Sequence, residues 1–313
     1  MNFSDRLAEQ IRKKNNPTVM GLDPKLEYIP SSIKDRHFSG NADPFKAAAG
    51  SILEFNRRLI DAVHDIIPAV KPQLAYYEMY GTEGLRAFCE TVSYAKGKGM
   101  IVIADGKRND IGSTAEAYAA AYLGDTFLNG ESAEAFGADA LTVNAYLGFD
   151  GIKPFINLCE SREKGIFILV KTSNPSSGQL QDLVLSDGRA IYEVMADLVK
   201  EWGNTTVGEC GFSAVGAVVG ATYPKQLSEL RKRMPKTWIL VPGYGAQGGT
   251  AKDVAKAFDN NGMGALINAS RSLMCAWKLE AWKGEFTIEE FDRAARAEAE
   301  RMKDEINMER EKI

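Results

Sequence analysis

The chain has 313 residues, 45% hydrophobic and 26% charged, with a net charge of −4. That balance is ordinary for a globular protein and gives no bulk electrostatic case for binding nucleic acid or an anionic membrane. No apolar run is long enough to span a bilayer, and the length allows two small domains or one large barrel.

Residues 1–14 are polar and amphipathic, with Phe3, Leu7 and Ile11 spaced along one side, unlike a secretory signal. A short apolar run, Thr18 to Leu22, ends at Asp23-Pro24. Residues 25–43 read as irregular, punctuated by Pro30, Gly40 and Asp43-Pro44. From Pro44 the apolar positions Ile52, Phe55, Leu59, Ile60, Val63 and Ile67 recur at helical steps. His64 lies beside that face and reads as structural. Ala69-Val70 ends a second strand at Lys71-Pro72-Gln73, and a helix follows from about Gly81 to Lys98.

The third apolar run, Ile101 to Ala104, ends at Asp105, with Lys107 and Asp110 close behind. Ser113 and Glu116 fit a capping box opening the next helix, and a further helical segment is predicted to reach Phe136. Leu141–Asn144, Gly165–Val170, Ser213–Val219, Trp238–Val241 and Gly264–Ile267 complete the predicted strands. Helices are predicted over 151–163 and 187–202, from Pro224 to near Arg233, and after Thr250, with Asp253 in its first turn.

Eight short strands, each followed by a helical segment, are apolar throughout rather than alternating. Parallel strands buried on both faces have this character. The pattern predicts a single (β/α)8 TIM barrel domain over residues 1–313 with extra terminal helices. The charged segment 284–313 is predicted as a C-terminal helix packed on it, through Ile288, Phe291, Ala294, Ala295 and Ala299. A doubly wound open sheet is the alternative, but no G-x-G-x-x-G follows the first strand. Four cysteines, far apart, fit free thiols in a reducing compartment, hence a cytoplasmic protein. Two histidines exclude a multi-histidine metal site.

In such a barrel all strand C-termini face one mouth, where chemistry occurs. The predicted ends bring together Asp23, Lys71, Asp105 with Lys107, Asn144, Thr172 with Ser173, Thr222, Gln247 and Arg271. Interleaved lysines and carboxylates make each other tolerable in a pocket that neither would enter alone. The loop Pro242–Gly249 is rich in glycine, so its backbone amides can approach a ligand, and Arg271 follows one strand later. Loops after strands seven and eight commonly hold phosphate, which Arg grips with two hydrogen bonds. Ser173–Gly178, small and polar, suits a loop that folds over a ligand. These residues point to a phosphorylated small ligand and to a lysine delivering a proton to a carbanion, with no metal or cofactor motif.

Asp105-Gly-Lys107-Arg-Asn-Asp110-Ile111 resembles the D-x-K-x-x-D-I signature of orotidine 5′-phosphate decarboxylases. Gly21-Leu-Asp23, Val70-Lys71-Pro-Gln, Thr172-Ser-Asn-Pro, Pro242–Gly249 and Ser270-Arg271 extend the resemblance over most of the barrel. The wording is similar to the longer bacterial (type 2) branch. The resemblance implies decarboxylation of orotidine 5′-monophosphate to uridine 5′-monophosphate and CO2 in de novo pyrimidine biosynthesis, without metal or cofactor. By that pattern Lys107 protonates C6, and Asp105 sits beside the substrate carboxylate. Asp110 and Thr114 reach the partner's site across a homodimer, completing a Lys71–Asp105–Lys107–Asp110 array. Asp23 and Lys71 contact the ribose, and Ser173 contacts the pyrimidine. Gln247, Arg271 and loop amides, Gly248 among them, hold the phosphate. Two alternatives are a Mg2+-dependent sugar-phosphate lyase or synthase of the same superfamily and a non-catalytic phosphate-ligand binder.

Overall fold

The structure, a computed structural model, describes residues 1–245 and 248–313. Eight parallel strands close into a barrel: β1 (Thr18–Leu22), β2 (Ala69–Pro72), β3 (Ile101–Arg108), β4 (Ala140–Val143), β5 (Gly165–Lys171), β6 (Ser213–Val219), β7 (Thr237–Pro242) and β8 (Ala265–Ala269). Neighbours in the ring are neighbours in sequence, and β1 pairs with β8, so no edge is left open. All residues of β1 and β6 are buried, which is why these runs are apolar without alternation. A (β/α)8 TIM barrel is therefore the fold.

Register places the functional ends side by side. Gly21 pairs with Lys71, and Gln73 bridges to Asp105. The β3–β4 pairing slips between Ala104 and Arg108, a bulge in which Lys107 has φ +46°. A left-handed lysine costs on the order of 1 kcal/mol. Bulges of this kind re-aim a side chain.

Helices surround the ring. Pro44–Val63 starts where the Asp43 carboxylate accepts the amides of Phe45 (2.9 Å) and Lys46 (3.3 Å), and it buries Ile52, Phe55, Leu59 and Ile60. The N-terminal helix Phe3–Lys14 sets Phe3 against the start of β5, where any residue larger than Gly165 would put its Cβ 2.4 Å from the Phe3 ring. The C-terminal helix Phe291–Arg310 lies on Pro44–Val63, with Phe291 stacked on Phe55 at 4.5 Å and Arg58 paired to Asp292 at 2.8 Å.

Four local expectations are corrected. The segment before Phe136 is not helical: Thr126–Leu128 and Glu131–Ala133 form a hairpin, because Asn129 (φ +48°) and Gly130 (φ +94°) make the tight turn that joins antiparallel strands. The Ser113/Glu116 capping box does not form; the helix Gly112–Leu123 starts earlier, at Gly112 (φ +52°), with Ile111 as its uncapped first neighbour. The helix expected from Asp187 begins at Ile191, since the Asp187 carboxylate instead ties back the amide of Arg189 at 3.0 Å. Within 25–43, Ser31–Phe38 is a helix that buries Ile33.

Candidate active site

The barrel mouth opens into a cavity of about 680 Å³. Its floor is a chain of charges. Lys71 Nζ donates to Asp105 Oδ2 at 2.6 Å, and Lys107 Nζ donates to Asp105 Oδ1 at 2.6 Å. Gln73 Nε2 (3.1 Å) and the Thr142 hydroxyl (2.8 Å) complete the shell around the same carboxylate. Thr142 Oγ1 also accepts the amide of Lys107 at 3.0 Å, holding the bulge that presents the lysine. Lys71 and Asp105 are buried, whereas the Lys107 side chain keeps 45% of its surface exposed toward the cavity mouth.

Burial works against charge on Asp105, yet Lys71 and Lys107 outweigh it and hold the carboxyl far below its ordinary 3.8. Burial likewise opposes charge on Lys71, but Asp105 and Asp23 hold it above its ordinary 10.5. On Asp23 burial prevails: it pushes that carboxyl up, with Asp105 adding to the effect against Lys71. The depressed Asp105 contributes stability above pH 3.8 that is lost as pH falls through its lower folded value. The raised Lys71 contributes below pH 10.5 and loses its share as pH rises through its higher folded value. Asp105→Asn is expected to cost roughly 3 kcal/mol near neutrality, by leaving Lys71 short of its closest partner. Urea denaturation of both proteins checks this, and the difference should shrink below pH 3.8.

Two buried oxygens aimed at the cavity have no protein partner among the described residues: Asp23 Oδ1 and Asn268 Oδ1. Such groups are costly unless a ligand satisfies them. Hydroxyl donors suit both.

Across the cavity, Thr172, Ser173 and Asn174 line the wall after β5. Gln181 clamps this segment, accepting the Thr172 amide at 3.0 Å and donating to its hydroxyl at 2.8 Å. The fully buried Lys171 anchors it from below through Asp182 at 2.6 Å. A Cβ at Gly220 would lie 2.8–3.0 Å from Ser173, so that glycine lets the β5 loop settle against β6.

The β7 loop contributes Gly243 and Tyr244 to the lining, and Arg271 joins it from the segment after the neighbouring β8. Gly248 does not line the cavity; it is exposed, and its amide already donates to Gly245 O at 2.9 Å. Gln247 lies outside the described residues.

Asp23, Lys71, Asp105, Lys107, Ser173 and Arg271 thus meet in one cavity, as their strand-end positions imply. Asp110 and Thr114 do not join them. Asp110 Oδ1 accepts the amide of Ile111 at 2.8 Å, and Thr114 is exposed on the outer face. Asn144 also stays out, accepting the Tyr146 amide at 3.1 Å. The residues that sequence reasoning missed are Thr142 and Asn268. Each is a polar residue inside an otherwise apolar parallel strand, and that was the available signal.

The family model described as "Orotidine 5'-phosphate decarboxylase / HUMPS family" matches residues 43–281. The chain is 45% identical to orotidine 5′-phosphate decarboxylase of Rhodopirellula baltica, covering 98% of this chain and 99% of the relative. It is 41% identical to the enzyme of the same name from Caldicellulosiruptor saccharolyticus, covering 98% of each. Among solved structures, Leishmania donovani OMP decarboxylase superposes with a TM-score of 0.74 at 31% identity, covering 99% of both chains.

Proposed function

From the premise that the chain belongs to the orotidine 5′-phosphate decarboxylase family, we propose how its residues perform that family's reaction. The protein is a decarboxylase that converts orotidine 5′-monophosphate to uridine 5′-monophosphate and CO2, a step of pyrimidine biosynthesis. The observation that carries the residue assignment is the Lys71–Asp105–Lys107 chain at the floor of the cavity.

The bond from C6 to the substrate carboxylate breaks, its electron pair stays on C6, and CO2 departs. Lys107 stabilises the resulting vinyl carbanion by its charge and then transfers an N–H proton to C6. Its neutral amine regains a proton from solvent, which its partial exposure permits. Asp105, beside the substrate carboxylate, fixes both ammonium groups before the substrate arrives. Charge placed in advance needs no solvent reorganisation, and each factor of ten in rate needs about 1.4 kcal/mol of such differential stabilisation.

Asp23 and Asn268 accept hydrogen bonds from ribose hydroxyls, which satisfies their unpartnered oxygens. Lys71 lies at the same end of the sugar. Ser173 takes the pyrimidine edge, and Arg271 with Gln247 takes the phosphate. Gly248, with φ +91°, supplies the turn of the loop rather than a free amide. Phosphate binding, remote from C6, supports closure of the β5 loop.

The Mg2+-dependent synthases need oxygen ligands for their metal. Here the ammonium of Lys71, 2.6 Å from Asp105, competes for the carboxylate and repels a cation. Decarboxylation of orotidine 5′-monophosphate is therefore expected to proceed at full rate in EDTA, followed as loss of the orotate absorbance band. A rate that collapses in EDTA and returns with Mg2+ would overturn the reading.

The protein acts as a homodimer with a shared site, in the cytoplasm. Supporting the dimer, the helix Gly112–Leu123 presents small residues to solvent, with Ile111 (54% exposed), Tyr146 and Leu147 at its mouth end and Phe127 (73%) and Leu128 at the other. Apolar surface at both ends of a helix about 18 Å long suits a subunit interface. On this reading Asp110, beside the exposed Ile111, and the exposed Thr114 enter the partner's cavity. Four free cysteines suit a reducing compartment.

A further inference from the structure

We propose that the C-terminal helix sets the affinity for the phosphorylated end of the substrate, by anchoring the glycine-rich β7 loop through a Tyr244–Glu305 hydrogen bond. The proposal rests on the reading that this loop and Arg271 receive the phosphate. Tyr244 is buried in that loop, and its hydroxyl donates to Glu305 Oε2 at 2.9 Å, 61 residues further along the chain. Burial, reinforced by the Glu305 carboxylate, pushes the phenol up, so it remains a donor.

Glu305 is itself held. Arg301 donates to Glu305 Oε1 at 2.5 Å and grips Glu298 with two hydrogen bonds of 2.8 and 2.7 Å. Glu298 is buried and also accepts Trp282 Nε1 at 2.9 Å. Tyr244 is thus the last link of a chain that is fastened inside the C-terminal segment. The match to the family model ends at residue 281, short of Trp282, Glu298, Arg301 and Glu305, although the full-length relatives align over 98% of the chain.

The loop needs such a fastening. Gly243 (φ +101°), Gly245 (φ +69°) and Gly248 (φ +91°) all occupy left-handed backbone, which leaves many conformations open to the free loop. Ordering it at the moment of binding would reduce affinity. Anchoring Tyr244 holds both arms at once, because the backbone around it bridges to Gly249: Gly245 N donates to Gly249 O at 2.9 Å and Gly249 N to Gly243 O at 3.2 Å. Tyr244 lines the same cavity as Arg271, so its position shapes the wall of that cavity.

Calorimetry with uridine 5′-monophosphate and with uridine measures what the phosphate adds to binding. Tyr244→Phe, which removes one oxygen from a buried ring, and Glu305→Ala are each expected to weaken the nucleotide about ten-fold and leave the nucleoside unchanged. In turnover they raise KM for orotidine 5′-monophosphate by a similar factor, with kcat held within about two-fold. Glu305→Gln, whose amide oxygen still accepts the phenol proton, retains part of the affinity. The double variant loses no more than either single one, because the two residues act as a unit. Equal losses for nucleotide and nucleoside, no loss at all, or additive losses would each overturn the anchor. Arg271→Ala separates the two readings. If it abolishes the preference for the nucleotide and Tyr244→Phe leaves that preference undiminished, only the anchor fails. If Arg271→Ala keeps the wild-type preference, or wild type has none, the phosphate reading fails with it.

Discussion

Lys107→Ala is expected to lower kcat by on the order of 10^4, while uridine 5′-monophosphate binds within about ten-fold of wild type. The side chain is both proton donor and nearest cation to C6, so one substitution removes two contributions. Little else depends on it. Asp105 keeps Lys71 at 2.6 Å, Gln73 and Thr142, so the buried part of the array stays paired and the barrel stays folded. Lys107→Arg should fail to rescue turnover: a guanidinium is a far weaker acid and too broad for the site that one ammonium fills. Single-turnover rates set beside product-analogue affinities make the comparison. A variant that loses binding and rate in equal measure would reduce Lys107 to a ligand contact.

The position of Lys107 also marks the boundary of what sequence reveals. The apolar runs Ile101–Ala104 and Gly165–Val170 are legible because strands covered on both faces admit little else. The bulge is not. Asp105-Gly-Lys-Arg108 reads as a departing loop, whereas β3 pairs again at Arg108 and the lysine turns left-handed, held by a hydroxyl from β4. That hydroxyl belongs to Thr142, inside the strand Ala140–Val143, whereas strand-end reasoning selected Asn144, two residues on and past the end of the strand. The hairpin strands are three residues each, too short to show alternation, although Asn129-Gly130 was a turn signal in plain view. The Ser113/Glu116 spacing misled in the opposite sense: a motif was present, but Gly112 had already started the helix. Tyr244 and Glu305 meet only in the folded chain, and no local spacing encodes them.

Asp110 is the residue whose place depends on a second subunit, and complementation tests it most directly. Asp110→Ala and Lys107→Ala are each expected to be inactive, yet a mixture that has exchanged subunits should recover about one quarter of wild-type activity. The reasoning is geometric. Asp110 leaves its own cavity at the turn after the bulge, and its carboxylate accepts the Ile111 amide on an exposed apolar face. If that face meets its copy, each site combines Lys107 of one chain with Asp110 of the other. Random exchange makes half of the dimers mixed, and in each mixed dimer one site pairs an intact Lys107 with an intact Asp110. The other site lacks both. Were Asp110 to act within its own subunit, every site in the mixture would carry one defect and activity would stay at zero. Differently tagged chains show whether mixed dimers form. Mixed dimers without activity would remove Asp110 from the partner's site, and chains that remain monomeric at assay concentration while fully active would remove the shared site altogether. The measurement therefore tests one stretch, residues 105–114, as the source of groups for two different pockets: Asp105 and Lys107 for its own, Asp110 and Thr114 for its neighbour's.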